Sequence, residues 1–252
     1  MVKFRQWLLA LLFFFPLSLA ARTYMVAVGI CDYQYINGLR KTENDARSMA
    51  SLYRSRGCEV TTLLGSKATH EGVITTLRDV LGKAQKHDVV VFFFSGHGTK
   101  RGLCAYDTKS EMSCITYAEI ARELKTCRAD NKQLYIDACF SGGLRMDGPR
   151  TAASPQSDFS DTEGVMLFLS SRTDETSQEN IYGPNGQFTK YLLRGLKGGA
   201  DSNRNRIVEA KELFTFVSAK VAAATRGEQN PVMWGRFNDA MHLMNWNPKA
   251  GK

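Results

Sequence analysis

The chain has 252 residues, of which 43% are hydrophobic and 23% are charged, and these proportions are typical of a folded globular protein. Lysine and arginine outnumber aspartate and glutamate by 33 to 25, which gives a formal net charge of +8. The basic residues are scattered rather than clustered, so the charge does not indicate a nucleic-acid-binding protein. The length fits one α/β domain of ordinary size.

The first twenty residues differ from the rest of the chain. Lys3 and Arg5 precede an almost unbroken apolar run over residues 7–19, and small residues surround Ala20. The run is short for a membrane span, and small residues are what signal peptidase accepts. The pattern predicts a secretory signal peptide over residues 1–20, and hence a secreted, periplasmic or cell-surface protein without stable membrane insertion. An uncleaved anchor is the alternative.

Apolar runs alternate with amphipathic stretches along most of the remaining chain. The expected strands cover residues 23–30, 58–64, 89–97, 133–139, 164–170 and 241–244. The expected helices cover residues 42–56, 69–86, 187–196 and 208–224, with a further helix opened by the capping box Thr116-x-x-Glu119. Such alternation predicts a parallel sheet with helices on both faces. Only the polar, proline-containing segment 144–163 interrupts it, and a long loop is expected there.

Two of the apolar runs end in glycine and a reactive side chain. Residues 89–94 lead into a Ser-Gly-His-Gly sequence that contains His97, and residues 133–138 lead into a Cys-Phe-Ser-Gly sequence that begins at Cys139. Runs of this kind are typical of strands buried in a parallel sheet, whose ligands bind beyond the carboxyl ends of the strands. His97 and Cys139 are therefore expected at one sheet edge, where a thiol and an imidazole can serve as nucleophile and general base.

These motifs, together with residues 25–30 and the Asn-Asp-Ala sequence around Asp45, resemble those of the caspase-like cysteine peptidases. The resemblance looks closest to the metacaspases and their secreted bacterial relatives, and it extends from Tyr24 onward. It implies a caspase-like three-layer α/β/α sandwich with a mostly parallel central sheet. The peptidase domain would cover residues 21–252, divided into a large-subunit-like part (21–143), a linker loop (144–163) and a small-subunit-like part (164–252).

The resemblance also implies catalytic roles. Cys139 would attack the scissile carbonyl as a thiolate, and His97 would deliver the proton to the leaving amine. The backbone N–H groups of Gly98 and Cys139 would form the oxyanion hole. No organic cofactor would be required. A clostripain- or legumain-type peptidase with a different pocket, and a caspase-fold binding module without turnover, are the competing interpretations.

Asp137 precedes Cys139 by two positions, so both side chains are expected on the same side of their strand. The resemblance implies that Asp137 and Asp45, with Ser95 and Thr42 alongside, line the pocket for the residue before the cut. The substrates would then be proteins or peptides cut after Arg or Lys. Two simpler roles remain open: Asp137 could accept hydrogen bonds at the strand end, and Asp45 could cap its helix.

A preference for basic residues bears on the linker loop, because the loop contains Arg145 and Arg150. Cleavage by the enzyme itself at these positions is a hypothesis that follows from the implied specificity. The oligomeric state has no signal in the residues, and the resemblance to metacaspases implies a monomer.

Calcium dependence is doubtful on sequence grounds. Many metacaspases carry an aspartate pair at the start of the third helix, and residues 115–120 lack it. A second candidate places acidic and amide residues at positions one, three, five and twelve of an EF-hand-like loop, namely Asp201, Asn203, Asn205 and Glu212. The glycine expected at position six is Arg206, which favours an ordinary turn leading into a helix.

The chain contains six cysteines. Export would permit disulfides, but if Cys139 is the nucleophile, an odd number remains and at least one other thiol stays free. Cys104 and Cys114 flank a turn-like segment and could close a hairpin, although the sequence does not determine the pairing.

Overall fold

The structure, a computed structural model, describes residues 21–139, 155–171 and 183–246. The predicted signal peptide lies outside these residues. The strands are β1 (Thr23–Gly29), β2 (Glu59–Leu64), β3 (Val89–His97), β4 (Gly102–Leu103), β5 (Ile115–Thr116), β6 (Asn131–Cys139), β7 (Val165–Leu169), β8 (Ile207–Glu209), β9 (Val232–Arg236) and β10 (His242–Asn245). The α-helices are α1 (Thr42–Arg54), α2 (His70–Lys83), α3 (Tyr117–Thr126), α4 (Pro155–Phe159), α5 (Gln187–Arg194) and α6 (Ala210–Ala224).

Six strands form the central sheet in the order β2-β1-β3-β6-β7-β9. The first five strands are parallel to one another, and β9 runs antiparallel to β7 at the edge. Two small antiparallel sheets, β4–β5 and β8–β10, lie outside it. The mostly parallel sheet predicted from the alternating pattern is confirmed.

The side chains of β3 show how the sheet holds two cores. Val90, Phe92 and Phe94 pack with residues of α2 and α3, whereas Val91 and Phe93 pack with residues of α1, α5 and α6. Successive side chains of a strand point to opposite faces, so a continuous apolar run serves both faces at once. The three-layer α/β/α arrangement is thus confirmed.

The structure departs from the predictions mainly in the second half of the chain. The short strands β8 and β9 were not predicted. Pro155–Phe159, predicted as part of the long loop, forms α4, which buries Phe159. Strand β9 is a partly exposed edge strand whose apolar run is only three residues long before Gly235, at φ +127°, interrupts it. The predicted capping box of α3 is present: the side chain of Thr116 accepts from the Glu119 N–H, and that of Glu119 from the Thr116 N–H.

Over the described residues, no helix combines the length and the apolar character needed to cross a membrane.

Candidate active site

The carboxyl ends of β3 and β6 bring the predicted site residues together. These strands are parallel neighbours in a register that pairs Ser95 with Asp137 and His97 with Cys139. Neighbouring strands lie about 4.8 Å apart, so the backbone of Cys139 lies directly beside that of His97. The juxtaposition arises because two buried apolar strands both end at this edge.

Cys139 is described as the last residue of β6, and its side chain lies outside the described part of the structure. The same holds for all of residues 140–154, which include the predicted cleavage positions Arg145 and Arg150.

His97 is held by two residues of the loop between β1 and α1. Its Nε2 atom lies 2.9 Å from the carbonyl oxygen of Asn37. Because a carbonyl can only accept, Nε2 carries a hydrogen in this contact and Nδ1 is the nitrogen that can accept a proton. The ring of Tyr33 lies 5.0 Å from the imidazole between centroids, and its hydroxyl oxygen accepts the His97 backbone N–H at 2.7 Å. The Tyr33 and Asn37 contacts therefore orient both the ring and the backbone of His97.

Gly96 is required by the same arrangement. A Cβ atom at this position would lie 2.6 Å from the Tyr33 hydroxyl oxygen, which is closer than any ordinary contact. The glycine of the Ser-Gly-His-Gly sequence therefore allows Tyr33 to approach the backbone that carries His97.

Gly98 is buried between two backbone hydrogen bonds. The Cys104 N–H donates to the His97 carbonyl at 2.9 Å, and the Thr99 N–H donates to the Gly102 carbonyl at 2.8 Å. These bonds flank Gly98 and leave its own N–H outside this ladder. An N–H group so placed beside His97 is suited to bind an oxyanion.

Asp45 of α1 and Asp137 of β6 converge beside Gly186. A Cβ atom at Gly186 would lie 3.4 Å from Oδ2 of Asp45 and 3.2 Å from Oδ2 of Asp137. Asp45 is buried, and Asp137 is partly exposed at the sheet edge. The two carboxylates of the predicted pocket are therefore brought together, and we call them the acidic pair.

Three hydrogen bonds, from β3 and from the segment just before α5, hold Asp45. Its Oδ2 accepts the Ser95 hydroxyl at 3.1 Å, and its Oδ1 accepts the Asn185 side-chain amide at 2.8 Å and the Gly186 N–H at 3.1 Å. The predicted association of Ser95 with this carboxylate is thus seen directly.

Asp137 is held by the start of α5. Its Oδ2 accepts the Thr189 hydroxyl at 2.6 Å and the Thr189 N–H at 3.2 Å. Donors at the start of a helix favour a carboxylate there.

The acidic pair carries an electrostatic conflict. Burial, and after it the negative charge of Asp137, raises the pKa of the Asp45 carboxyl to about 7, although its hydrogen bonds act in the opposite direction. Burial also raises the pKa of Asp137. Two nearby carboxylates removed from water oppose each other's ionisation, and a cation placed between them would relieve the conflict.

The alternative role of Asp45 as a helix cap is wrong. The residue preceding α1 is Lys41, and no side chain caps this helix end. The Asp45 carboxylate instead accepts hydrogen bonds from Ser95 and from the segment just before α5. Thr42 lies at the same sheet edge, but its hydroxyl donates to the Ile30 carbonyl at 2.6 Å and so braces the end of β1.

Comparisons with known proteins support the fold and show the family. A family model described as "Caspase domain" matches residues 22–241. The chain belongs to the caspase domain family. Protein GSU0716 from Geobacter sulfurreducens, known from a crystal structure, is similar to it with a TM-score of 0.67 and 18% identity, over 90% of this chain and 98% of that one. A comparison with curated proteins found no match.

Several residues that position the site in this caspase domain were missed by sequence reasoning. Tyr33, Asn37 and Asn185 lie in segments without periodicity. Ser170, at the end of β7, exchanges hydrogen bonds of 3.2 Å with the N–H and the carbonyl of Ala138, next to Cys139. The only sequence signal for Ser170 was its position directly after an apolar strand.

The EF-hand-like candidate loop folds as a turn whose carboxylates accept hydrogen bonds from the protein's own N–H groups. Asp201 accepts the Asn205 N–H, the Arg206 N–H and the indole N–H of Trp246, at 2.9–3.2 Å. Glu212 accepts the N–H groups of residues 202, 203 and 209 at 3.0–3.2 Å. Arg206, at the expected glycine position, has φ +69°. Across the described ranges, no group of three or more His, Cys, Asp or Glu side chains is placed to hold a metal.

Proposed function

We propose that the protein is an exported cysteine endopeptidase that cuts after Arg or Lys with a Cys139–His97 dyad. The proposal is carried by one observation: the register that pairs Cys139 with His97 pairs Asp137, two residues earlier, with Ser95, and Asp137 there lies close to the buried carboxylate of Asp45. Membership of the caspase domain family supports a peptidase with protein substrates.

The chemistry follows from the orientation of His97. The thiol proton of Cys139 passes to Nδ1, because Nε2 is engaged with the Asn37 carbonyl. The thiolate then forms a carbon–sulfur bond to the scissile carbonyl, whose oxygen becomes negative near the Gly98 N–H. His97 returns the proton to the amine as the carbon–nitrogen bond breaks. Water hydrolyses the resulting thioester and regenerates the thiol.

The specificity follows from the acidic pair. A guanidinium or ammonium group of the substrate would supply the positive charge that Asp45 and Asp137 lack in the described structure, and would lower the pKa values of both carboxyls. Hydrogen bonds between charged partners contribute about 1.5–3 kcal/mol each. A substrate aspartate at the same position would bring a third negative charge and be rejected.

The remaining features of the proposed function rest on the sequence alone. Residues 1–20 direct export, the enzyme cuts its own segment 144–163 at Arg145 or Arg150, and it acts as a monomer without an organic cofactor or a required calcium ion. Incubating wild-type protein beside Cys139→Ala and sequencing new N-termini tests the self-processing step. Equal cleavage in both preparations would exclude it.

A mechanism-based label tests the dyad. A peptidyl-arginine fluoromethyl ketone should modify Cys139 in the wild type, and His97→Ala should slow this modification by at least about 100-fold. Cys58→Ala is the matched control, because Cys58 is a partly exposed thiol at the opposite end of the sheet, and labelling should be unchanged. The proposal would be contradicted if the label did not modify Cys139, or if His97→Ala were labelled at the same rate as the wild type. Labelling without turnover of an arginine substrate would favour the binding module instead.

A further inference from the structure

A pair of cysteines lies in the segment that follows β3, the strand that ends at His97. Strands β4 and β5 pair Gly102 with Thr116 and Leu103 with Ile115 in antiparallel register. Continued by one residue, this register places Cys104 opposite Cys114. Their sulfur atoms lie 3.4 Å apart, and both residues are buried.

The backbone already suits a disulfide. Opposite residues of an antiparallel pair have Cα atoms about 4.5–5.5 Å apart, which falls within the separation of about 4.4–6.8 Å that disulfides require. Shortening the sulfur–sulfur contact to a bond of about 2.05 Å therefore needs side-chain adjustment rather than movement of the strands.

The pair is also chemically asymmetric. A hydrogen bond from the Cys104 thiol lowers the pKa of Cys114, although burial acts against this, and the same hydrogen bond together with burial raises the pKa of Cys104. Cys114 is therefore the better nucleophile of the two. It follows an exposed turn that contains Met112, which is 70% exposed. A small disulfide would reach the buried Cys114 thiol by opening of this turn.

The strand that carries Cys104 is joined to the candidate active site. The Cys104 N–H donates to the carbonyl of His97, and Leu103 pairs with Gly98. Any constraint on Cys104 is therefore passed by one hydrogen bond to the backbone of the imidazole residue. The N–H groups of Cys58 and Cys127 donate instead to the carbonyls of Tyr53 and Leu124.

We propose that Cys104 and Cys114 form a redox-sensitive disulfide that clamps the segment carrying His97 and Gly98. The Cys114 thiolate attacks one sulfur of a small disulfide such as oxidised glutathione, forms a mixed disulfide and releases one glutathione thiolate. The Cys104 thiolate then attacks the Cys114 sulfur and releases the second glutathione. Two electrons pass from the two cysteines to the glutathione disulfide, and the two thiol protons end on the released glutathiones.

Peptide mapping tests the bond itself. Purified protein is incubated with oxidised or reduced glutathione, its free thiols are blocked with N-ethylmaleimide, and it is digested with trypsin without reduction. Cleavage after Lys109 separates the two cysteines, so the disulfide appears as a cross-link between two peptides. We expect this cross-link after oxidation, its loss in Cys104→Ser, and its retention in the control Cys58→Ser. Blocked thiols at both positions after oxidation, or cross-links to other cysteines, would overturn the proposal.

Amide hydrogen exchange of the same wild-type samples tests the clamp. Exchange at residues 97–104 should be at least about threefold slower in the oxidised protein, because closing the pair suppresses local opening. An oxidised protein with unchanged exchange there would overturn the clamp. Neither measurement depends on peptidase activity, so failure of the proposed function and failure of this inference are distinguishable.

Discussion

The molecule contains two clusters of carboxylates that behave in opposite ways. In the acidic pair, Asp45 and Asp137 converge at the sheet edge and the pKa of Asp45 rises to about 7. In the loop before α6, desolvation of Asp201 is outweighed by hydrogen bonds from Trp246 and from backbone N–H groups, which lower its pKa. Acidic residues alone therefore do not identify a binding site.

The difference lies in where the positive partners come from. In the Asp201 loop, nearby backbone N–H groups and the Trp246 indole supply the hydrogen bonds that Asp201 and Glu212 accept. The acidic pair is also hydrogen-bonded, but two negative charges share one poorly solvated region and the described residues bring no cation to it. A cationic substrate group is the missing partner that we propose.

Removing one charge of the acidic pair should have the largest effect. Asp137→Asn keeps an oxygen for Thr189 but loses the negative charge, so kcat/KM for arginine substrates should fall roughly 30- to 150-fold, which corresponds to about 2–3 kcal/mol. Steady-state kinetics with a fluorogenic arginine substrate measures this. Labelling of Cys139 by iodoacetamide should be unaffected and serves as the check on the fold. Unchanged kcat/KM would remove Asp137 from the pocket.

The raised pKa of Asp45 predicts a pH dependence of stability. The native state binds more protons than the unfolded state between about pH 4 and pH 7, so the free energy of unfolding should fall as pH rises through this window. One pKa unit corresponds to about 1.4 kcal/mol, so the fall should be of the order of 1–4 kcal/mol. In Asp45→Asn, the free energy of unfolding should change much less over this pH range.

Urea denaturation at pH 4.5 and pH 8 measures this pH dependence. Asp239→Asn, which alters an exposed carboxylate, is the control and should keep the wild-type difference between the two pH values. An Asp45→Asn protein that still loses the same stability on going to pH 8 would show that another group is responsible.

Removing the Tyr33 hydroxyl should have a smaller effect on catalysis. Tyr33→Phe keeps the ring against His97 but removes the oxygen that accepts its N–H, so kcat should fall about tenfold with little change in KM. The pH profile of kcat should also shift if the imidazole is less well held. Tyr35→Phe, at a half-exposed position in the same loop, should behave as the wild type. An effect confined to KM would assign Tyr33 to substrate binding instead.

The smallest effect is expected at the other acidic cluster. Asp201→Asn should leave arginine cleavage within about twofold and lower the free energy of unfolding only slightly, because one hydrogen bond to Trp246 or the backbone weakens at an exposed site. Kinetics and urea denaturation measure the two quantities. A loss of activity as large as that in Asp137→Asn would break the distinction between the clusters.

The sequence suffices for the five parallel strands of the sheet because three of them are long and apolar. Strands β1, β3 and β6 are buried on both faces, so their composition alone marks them, and parallel pairing brings His97 and Cys139 to one edge. Strands β8 and β9 are short or exposed, and their pairing depends on tertiary contacts that no local pattern records. Segment 155–159 likewise gains its helix by burying Phe159 against α3.

The candidate site is less predictable from the sequence than the fold. His97, Cys139 and Asp137 follow recognisable strands, and Ser95 and Asp45 belong to recognisable motifs. The residues that position them come from loops far away in the chain: Asn185 is 140 positions from Asp45, and Tyr33 is 64 positions from His97. The resemblance places Thr42 in the pocket, but its hydroxyl donates a hydrogen bond to the carbonyl of Ile30. Such partnerships become visible only when the sheet brings the loops together.

The most direct test compares three peptides that differ only in the residue before the scissile bond: arginine, its uncharged isostere citrulline, and aspartate. Cleavage is measured with the wild type and with Cys139→Ala. The account predicts cleavage of the arginine peptide, a loss of at least about 100-fold with citrulline, none with aspartate, and none in the variant. Equal cleavage of arginine and citrulline, or a preference for aspartate, would contradict the proposed role of the acidic pair.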